Sequence, residues 1–318
     1  MHISNPFRRY VMIARRQFLA ASGAVALSAA WGTTARARSS DPATLITARF
    51  QGAGQDVPVI GVGTARRYAD PADAAALGAL RDTLARFVEL GGQVIDTAPS
   101  YGRAEEVLGD LIQDLGVRDR LFIATKVGAD DREQGAAQIE ASFRKLRTDI
   151  IDMIAVHNLR DTENQLATLR DLKASGRIRS VGATTSSERQ YAAFEAMMRS
   201  ETLDVIQIDY ALDNREAADR ILPLAQELGL TVMINLPFGR GRLFQAVQDR
   251  PLPDWAAEIG AASWAQVFLK YIVSHPARPI AVPGTAQVRY ADDNLGAARA
   301  PLPDAAMRRR MEQYIDAL

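Results

Sequence analysis

The 318-residue chain contains no cysteine, which excludes disulfides, thiolate nucleophiles and cysteine-ligated zinc together. Histidine is nearly as scarce. His2, His157 and His275 are the only three, too few for a histidine-rich metal centre. No apolar run reaches the roughly 18 to 20 residues of a membrane-spanning helix. The Gly-x-Gly-x-x-Gly turn of an open dinucleotide-binding sheet is also missing: the nearest stretch, Gly61-Val62-Gly63-Thr64-Ala65-Arg66, lacks the third glycine. Neither sign of charge dominates, with 38 basic and 38 acidic residues, so a broad cationic surface for nucleic acid is not expected. What is present is an ordinary globular composition, 47% hydrophobic and 24% charged, long enough for one large α/β domain or two small ones.

Residues 1–37 contain no Asp or Glu. They carry Arg8 and Arg9, then Arg15-Arg16-Gln17-Phe18-Leu19, an alanine-rich apolar stretch and the small-residue site Ala35-Arg36-Ala37. These are the parts of an export signal, and the paired Arg15-Arg16 resembles the twin-arginine type that carries folded proteins across a bacterial inner membrane. The implied partner is the twin-arginine translocase and the implied location the periplasm, with an uncleaved inner-membrane anchor as the alternative. Cleavage after Ala37 removes five arginines and no acid, leaving 33 basic against 38 acidic residues in 38–318, a net charge of −5. Neither nucleic-acid binding nor stable membrane insertion is expected of that remainder.

Beyond residue 57, short apolar runs alternate with helix-length amphipathic segments. The pattern predicts eight strands, at 58–64, 93–98, 121–127, 152–157, 180–184, 205–210, 231–236 and 279–283. Helices are predicted at 72–90, 104–115, 133–146, 162–174, 188–198, 215–228 and 262–274. Strands buried on both faces and separated by helices imply right-handed crossovers and a parallel sheet. Eight such units match a closed (β/α)8, or TIM, barrel forming a single domain over 38–318; an open doubly wound sheet is the runner-up. Residues 244–261, with Pro251, Pro253 and Trp255, read as a loop insertion over the catalytic end, and 303–318 as a helix on the barrel exterior.

In such folds chemistry collects at the carboxyl ends of the strands. Asp96 ends the second strand, Lys126 the third and His157 the fourth, and Tyr101 follows Asp96 by five residues. Singly, each has a structural explanation: a salt bridge, a core histidine, a loop aromatic. However, the chain has only four lysines, Lys126, Lys145, Lys173 and Lys270, and Lys126 alone interrupts a strand pattern. Jointly the four residues suggest proton transfer to a carbonyl. A phenol with a pKa near 10 needs a neighbouring ammonium to release its proton, a carboxylate holds that ammonium in place, and a neutral imidazole orients the carbonyl oxygen. Such a site brings no reductant, so a cofactor must supply the hydride. A metal-dependent barrel hydrolase would need ligands beyond Asp96 and His157 that the strand ends do not provide.

The segments that carry these residues resemble the aldo-keto reductases: Asp96-Thr97-Ala98-x-x-Tyr101-Gly102 with Glu105-x-x-Leu108-Gly109, then Thr125-Lys126, His157-Asn158 and Gly176-Arg177-Ile178-Arg179-x-Val181-Gly182. The resemblance implies a (β/α)8 barrel with extended NADP(H), or NAD(H). Tyr101 becomes the acid/base, Lys126 and Asp96 its tuning pair and His157 the carbonyl orienter. Reduction of aldehydes or ketones, or the reverse, follows, with a monomer as the family default. On the same likeness Gly63, Thr64 and Asp96 face the cofactor, and Thr184 and Thr185 stand where the family has a Ser-Asn pair holding the carboxamide, with Gln207 beside them. Asn235 takes a position that is commonly aromatic, and Pro237, Phe238, Gly239 and Gly241 form the loop around the pyrophosphate. Gly284, Thr285, Gln287, Arg289 and Asn294 fall in the segment for adenosine and its 2′-phosphate. Gly284 replaces a frequent lysine and Tyr290 a usual arginine. A second function on the same barrel is a nucleotide-binding sensor or partner protein with little turnover. Arg66, Arg67 and Arg160 lie in rim loops and read as solvated side chains, with an anionic substrate as the other possibility.

Overall fold

The computed structural model describes residues 44–318; the twin-arginine-like segment lies outside the described residues. The chain opens with an antiparallel hairpin, β1 (Thr47–Phe50) and β2 (Gln55–Pro58). Eight parallel strands follow: β3 (Val62–Gly63), β4 (Val94–Asp96), β5 (Phe122–Val127), β6 (Ile151–His157), β7 (Ile178–Thr185), β8 (Val205–Asp209), β9 (Thr231–Asn235) and β10 (Ile280–Ala281). Each pairs with the next in sequence. The helices are α1 (Ala74–Glu89), α2 (Ala104–Leu115), α3 (Arg132–Leu146), α4 (Thr162–Ala174), α5 (Tyr191–Ser200), α6 (Ile221–Glu227), α7 (Arg242–Ala246), α8 (Trp264–Val273), α9 (Val288–Gly296) and α10 (Ala305–Asp316).

The sheet curls until its two edges meet. Parallel bridges join Ile60 to Ala281 and Gly63 to Gly284. Gly61 N donates to Ala281 O at 2.8 Å, Gly63 N to Pro283 O at 2.9 Å and Ala281 N to Val59 O at 2.9 Å. Glycine is required at this seam. A Cβ on Gly61 would stand 2.7 Å from Val94 O, and one on Gly63 2.8 Å from Val282 O. The result is the expected (β/α)8 barrel.

Strand and helix formation follow from burial and capping. β5 is buried along its whole length, as is β6 up to His157, the signature of strands covered on both faces. α1 places Leu80, Leu84, Phe87 and Val88 on its buried face, a spacing of four and then three that puts them on one stripe. Its N-cap Asp73 accepts from Ala76 N at 2.8 Å, worth about 1 kcal/mol. Asp131, Ser263 and Asp304 cap α3, α8 and α10 in the same way. Truncating Leu84, 1% exposed, to alanine is expected to cost roughly 2–5 kcal/mol.

The hairpin closes the end of the barrel opposite the strand carboxyl termini. Phe50 lies 4.1 Å from Phe122, the first residue of β5, and Gln51 N donates to Thr231 Oγ1 at 2.7 Å at the start of β9. Within the 244–261 stretch the chain is more ordered than a simple insertion: α7 begins it and a 3-10 turn over Asp254–Ile259 buries Trp255 and Ile259. The predicted exterior helix is α10.

Candidate active site

β4, β5 and β6 deliver Asp96, Lys126 and His157 to one rim, and the turn before α2 brings Tyr101 to them. Lys126 is the centre of the cluster. Its Nζ donates to Asp96 Oδ1 at 2.8 Å and to Thr97 O at 2.8 Å, and lies 5.2 Å from the centroid of the Tyr101 ring. The Tyr101 and His157 rings meet edge to face, 6.5 Å apart at 84°. Lys126 and Asp96 are almost sealed from water, at 2% and 5% side-chain exposure, so their charges are held in a medium that screens weakly.

Electrostatics define the protonation states. Burial acts most strongly on Lys126 and favours its neutral form, but Asp96 and Tyr101 reverse this and the pKa ends above 10.5. For Tyr101 the largest influence is Lys126, which pulls the phenol pKa down as the sequence suggested. Burial and the Asp96 carboxylate together outweigh it, and the net direction is upward. Tyr101 therefore keeps its proton at neutral pH and stands ready as a donor. His157 is driven down to about 4, by burial first and then by Lys126 and Arg160. It is a neutral imidazole under physiological conditions.

Two features behind the tetrad were not apparent from sequence. Thr125, one residue before Lys126, donates to the buried Glu105 Oε1 at 2.7 Å, so the helix that follows Tyr101 is tied to the strand that carries Lys126. Burial pushes the Glu105 carboxyl upward. Gln190 accepts from Thr185 Oγ1 at 2.5 Å and donates to Asn158 O at 3.0 Å. It links the turn after β7 to the residue following His157, and Asn158 N in turn donates to Thr184 O at 2.8 Å. Glu105 was visible as part of a motif, but nothing in the sequence marked Gln190.

A model of the Aldo/keto reductase family matches residues 59–314. The chain belongs to this family. It is 31% identical over 177 residues to Aldo-keto reductase YhdN of Bacillus subtilis (strain 168), a match covering 51% of this chain and 53% of that protein, so about half its length. It is 27% identical over 227 residues to Methylglyoxal reductase YeaE of Escherichia coli (strain K12), covering 69% and 79%. An aldo/keto reductase from Klebsiella pneumoniae, solved in complex with NADP and acetate, superposes with a TM-score of 0.72 at 26% identity, covering 86% of this chain and 96% of that one.

The remaining positions that the aldo/keto reductase resemblance singled out fall around the same end of the barrel. Gln207 on β8 is wholly buried, and neither its Oε1 nor its Nε2 has a partner among the described residues. A buried orphan amide is costly, roughly 1–3 kcal/mol per group, and it fits a carboxamide ligand that would satisfy both atoms. Thr184 lies beside it, paired in register. Thr185 does not point a free hydroxyl at that space, since its oxygen is engaged by Gln190 and by Ser187 N at 3.1 Å. Thr64 is fixed to Asp96 O by its N at 3.1 Å and its Oγ1 at 3.0 Å.

Beyond β9, Asn235 Oδ1 is buried and has no partner among the described residues. Pro237 and Gly239 are buried and Phe238 half-buried, while Leu236, Gly239, Arg240 and Gly241 all have positive φ. This winding turns the loop on its own backbone: Gly239 N donates to Leu236 O and Gly241 N to Phe238 O, each at 2.9 Å. The loop borders a groove of about 730 Å³ shared with Asp209, Asp213 and Arg242. None of the four tetrad side chains lines the groove. After β10, Thr285 Oγ1 donates to Pro283 O at 3.0 Å and accepts from Asn294 Nδ2 at 3.0 Å, which engages the Asn294 amide internally. Gly284, Gln287 and Arg289 are exposed. Arg289 donates to Gln287 Oε1 at 2.9 Å at the start of α9, where a phosphate would meet both a guanidinium and a helix N-terminus. Among the described residues no cluster of His, Asp or Glu is placed to hold a metal ion.

Proposed function

We propose that this member of the aldo/keto reductase family reduces aldehydes or ketones to alcohols, or catalyses the reverse reaction, with NADP(H). The observation that carries this reading is a buried lysine placed between a carboxylate and a phenol, beside an imidazole held neutral. The nicotinamide cofactor, when bound, supplies the hydride that the protein cannot. Gln207 and Thr184 would hold its carboxamide, the loop from Pro237 to Gly241 its pyrophosphate, and Thr285, Gln287 and Arg289 its adenosine end. His157 would donate a hydrogen bond to the substrate carbonyl and fix its direction. Tyr101 would pass its phenolic proton to the carbonyl oxygen, and Lys126, held by Asp96, would stabilise the phenolate left behind. Complexes of structural relatives with NADP support NADP(H) over NADH.

The test is a fluorescence titration with NADPH and NADH, run beside a carbonyl-reduction assay of the parent and of Tyr101→Phe. Nucleotide affinity should survive the substitution while turnover falls about 10²- to 10⁴-fold. Unchanged turnover in Tyr101→Phe would remove the assigned role. A second reading, a nucleotide-binding sensor, draws on Asn235 at the position that is commonly aromatic; tight nucleotide binding with no reduction across a broad carbonyl panel would select it.

The export reading belongs to the same proposal. The Arg15-Arg16 segment would send the folded, cofactor-loaded monomer through the twin-arginine translocase to the periplasm. Arg15→Lys/Arg16→Lys should retain the protein in the cytoplasm on cell fractionation; periplasmic recovery of that variant at parental levels would refute the route.

A further inference from the structure

We propose that the carbonyl substrate carries an anionic group, a carboxylate or a phosphate, and that Arg66 and Arg67 receive it. The inference rests on the carbonyl-reductase reading above and names its substrate class.

The turn after β3 is tied to the tetrad at both ends. Upstream, Thr64 donates twice to the carbonyl of Asp96. Downstream, Ala69 O accepts from Arg103 N at 2.9 Å and sits against Gly102, where a Cβ would come within 3.1 Å of that oxygen. Between them Tyr68 is driven into the core at 1% exposure. Residues 65–67 are thereby strapped between the strand end at Asp96 and the residues immediately after Tyr101. Both arginines are exposed there.

The charge around this strap is unbalanced. Neither Arg66 nor Arg67 makes an ion pair among the described residues, whereas the other rim candidate, Arg160, is clamped by Asp130 through Nη2 to both carboxylate oxygens at 2.6 Å. Of the nearby groups, Arg103 is paired with Glu106, Asp70 faces Arg103, and Asp73 caps α1. Arg189 and Arg240 are also without ion pairs, but they lie in the turns after β7 and β9, away from the Tyr101 turn. Inside the site there is no cation to spare, because Lys126 is committed to Asp96 and His157 is neutral. A substrate anion entering beside Tyr101 therefore meets two uncompensated guanidinium groups. These attract it at range and grip a planar carboxylate or a phosphate bidentately at contact.

The test compares aldehydes of one carbon skeleton ending in a carboxylate, a phosphate or a neutral amide, using the full chain with saturating NADPH. Both anionic substrates should show higher kcat/KM than the amide, and the larger value identifies the group the site is built for. Arg66→Gln and Arg67→Gln should each lower kcat/KM for the anionic substrates roughly five- to tenfold, with the loss confined to the charged compounds, and high salt should erase much of the preference. Equal kcat/KM for charged and neutral aldehydes would overturn the proposal and leave the reductase assignment intact. A changed NADPH dissociation constant in either variant, with the substrate preference retained, would overturn it by giving the arginines to the cofactor. Failure of all three aldehydes would remove the reductase reading itself, and this inference with it.

Discussion

Asp96→Asn isolates the charge of the carboxylate while keeping its shape and one acceptor oxygen. At 2.8 Å and an effective dielectric of about 20, the attraction between Lys126 and Asp96 is roughly 6 kcal/mol before desolvation is subtracted. Removing one charge of a buried pair typically costs about 3–5 kcal/mol, because the other remains buried and uncompensated. With a urea slope of about 3 kcal/mol/M, the unfolding midpoint should fall by about 1–1.7 M. Burial, the largest influence on Lys126, would then act unopposed by Asp96, so the ammonium pKa drops from its present place above 10.5. The raised pKa of Lys126 contributes stability to the parent that is fully present below 10.5 and is lost as pH rises through the folded pKa. Loss of the cation beside Tyr101 should lower kcat/KM at least about a hundredfold. Asp96→Leu/Lys126→Met removes both charges, and its stability should return to within about 2 kcal/mol of the parent while activity stays absent. Asp96→Asn as stable as the parent, or a double variant less stable than Asp96→Asn, would refute the account.

Three further outcomes follow from the geometry. His157 and His275 both have pKa values lowered to about 4 from 6.5; between those values the unfolded chain binds more protons, so stability should rise with pH from 4 to 6.5. His157→Phe should flatten that slope by about one proton in urea titrations, and an unchanged slope would count against a buried neutral imidazole. Gln207→Leu removes two orphaned polar atoms, so the nucleotide-free protein should gain about 1–3 kcal/mol while NADPH affinity falls; destabilisation would show that the amide already has a partner. Gly109→Ala sets a Cβ 2.0 Å from Lys145 O, and the forced separation of α2 from α3 should cost about 1–3 kcal/mol in thermal unfolding.

Legibility from sequence followed burial. β5 and β6 were readable because strands covered on both faces are continuous apolar runs, and Lys126 stood out because such a run cannot normally hold an ammonium. β3 and β10, two residues each, were readable only as part of a repeating pattern. The hairpin was missed because Thr47–Phe50 gives too short an alternation to separate from loop. α9 was missed because its sequence, VRYADDNLG, buries only three side chains and lacks a long apolar stripe. The four members of the tetrad were individually visible, but the sign of the Tyr101 shift was not. It depends on a contest between Lys126, burial and Asp96 that only coordinates can weigh. Gln190 was invisible because its role comes from a turn that folds back onto Thr185 and Asn158.

The seam of the barrel gives its shortest strands an unusual burden. β3 and β10 contribute four residues between them, yet the segments running directly out of them, Thr64 on one side and Gly284–Thr285 on the other, are among the positions proposed to hold the nucleotide. A ligand that bridges those segments would act as a rivet across the joint at which the sheet closes on itself. Tight binding and mechanical closure of the barrel then become one equilibrium, in which every increment of nucleotide affinity is also resistance to springing open.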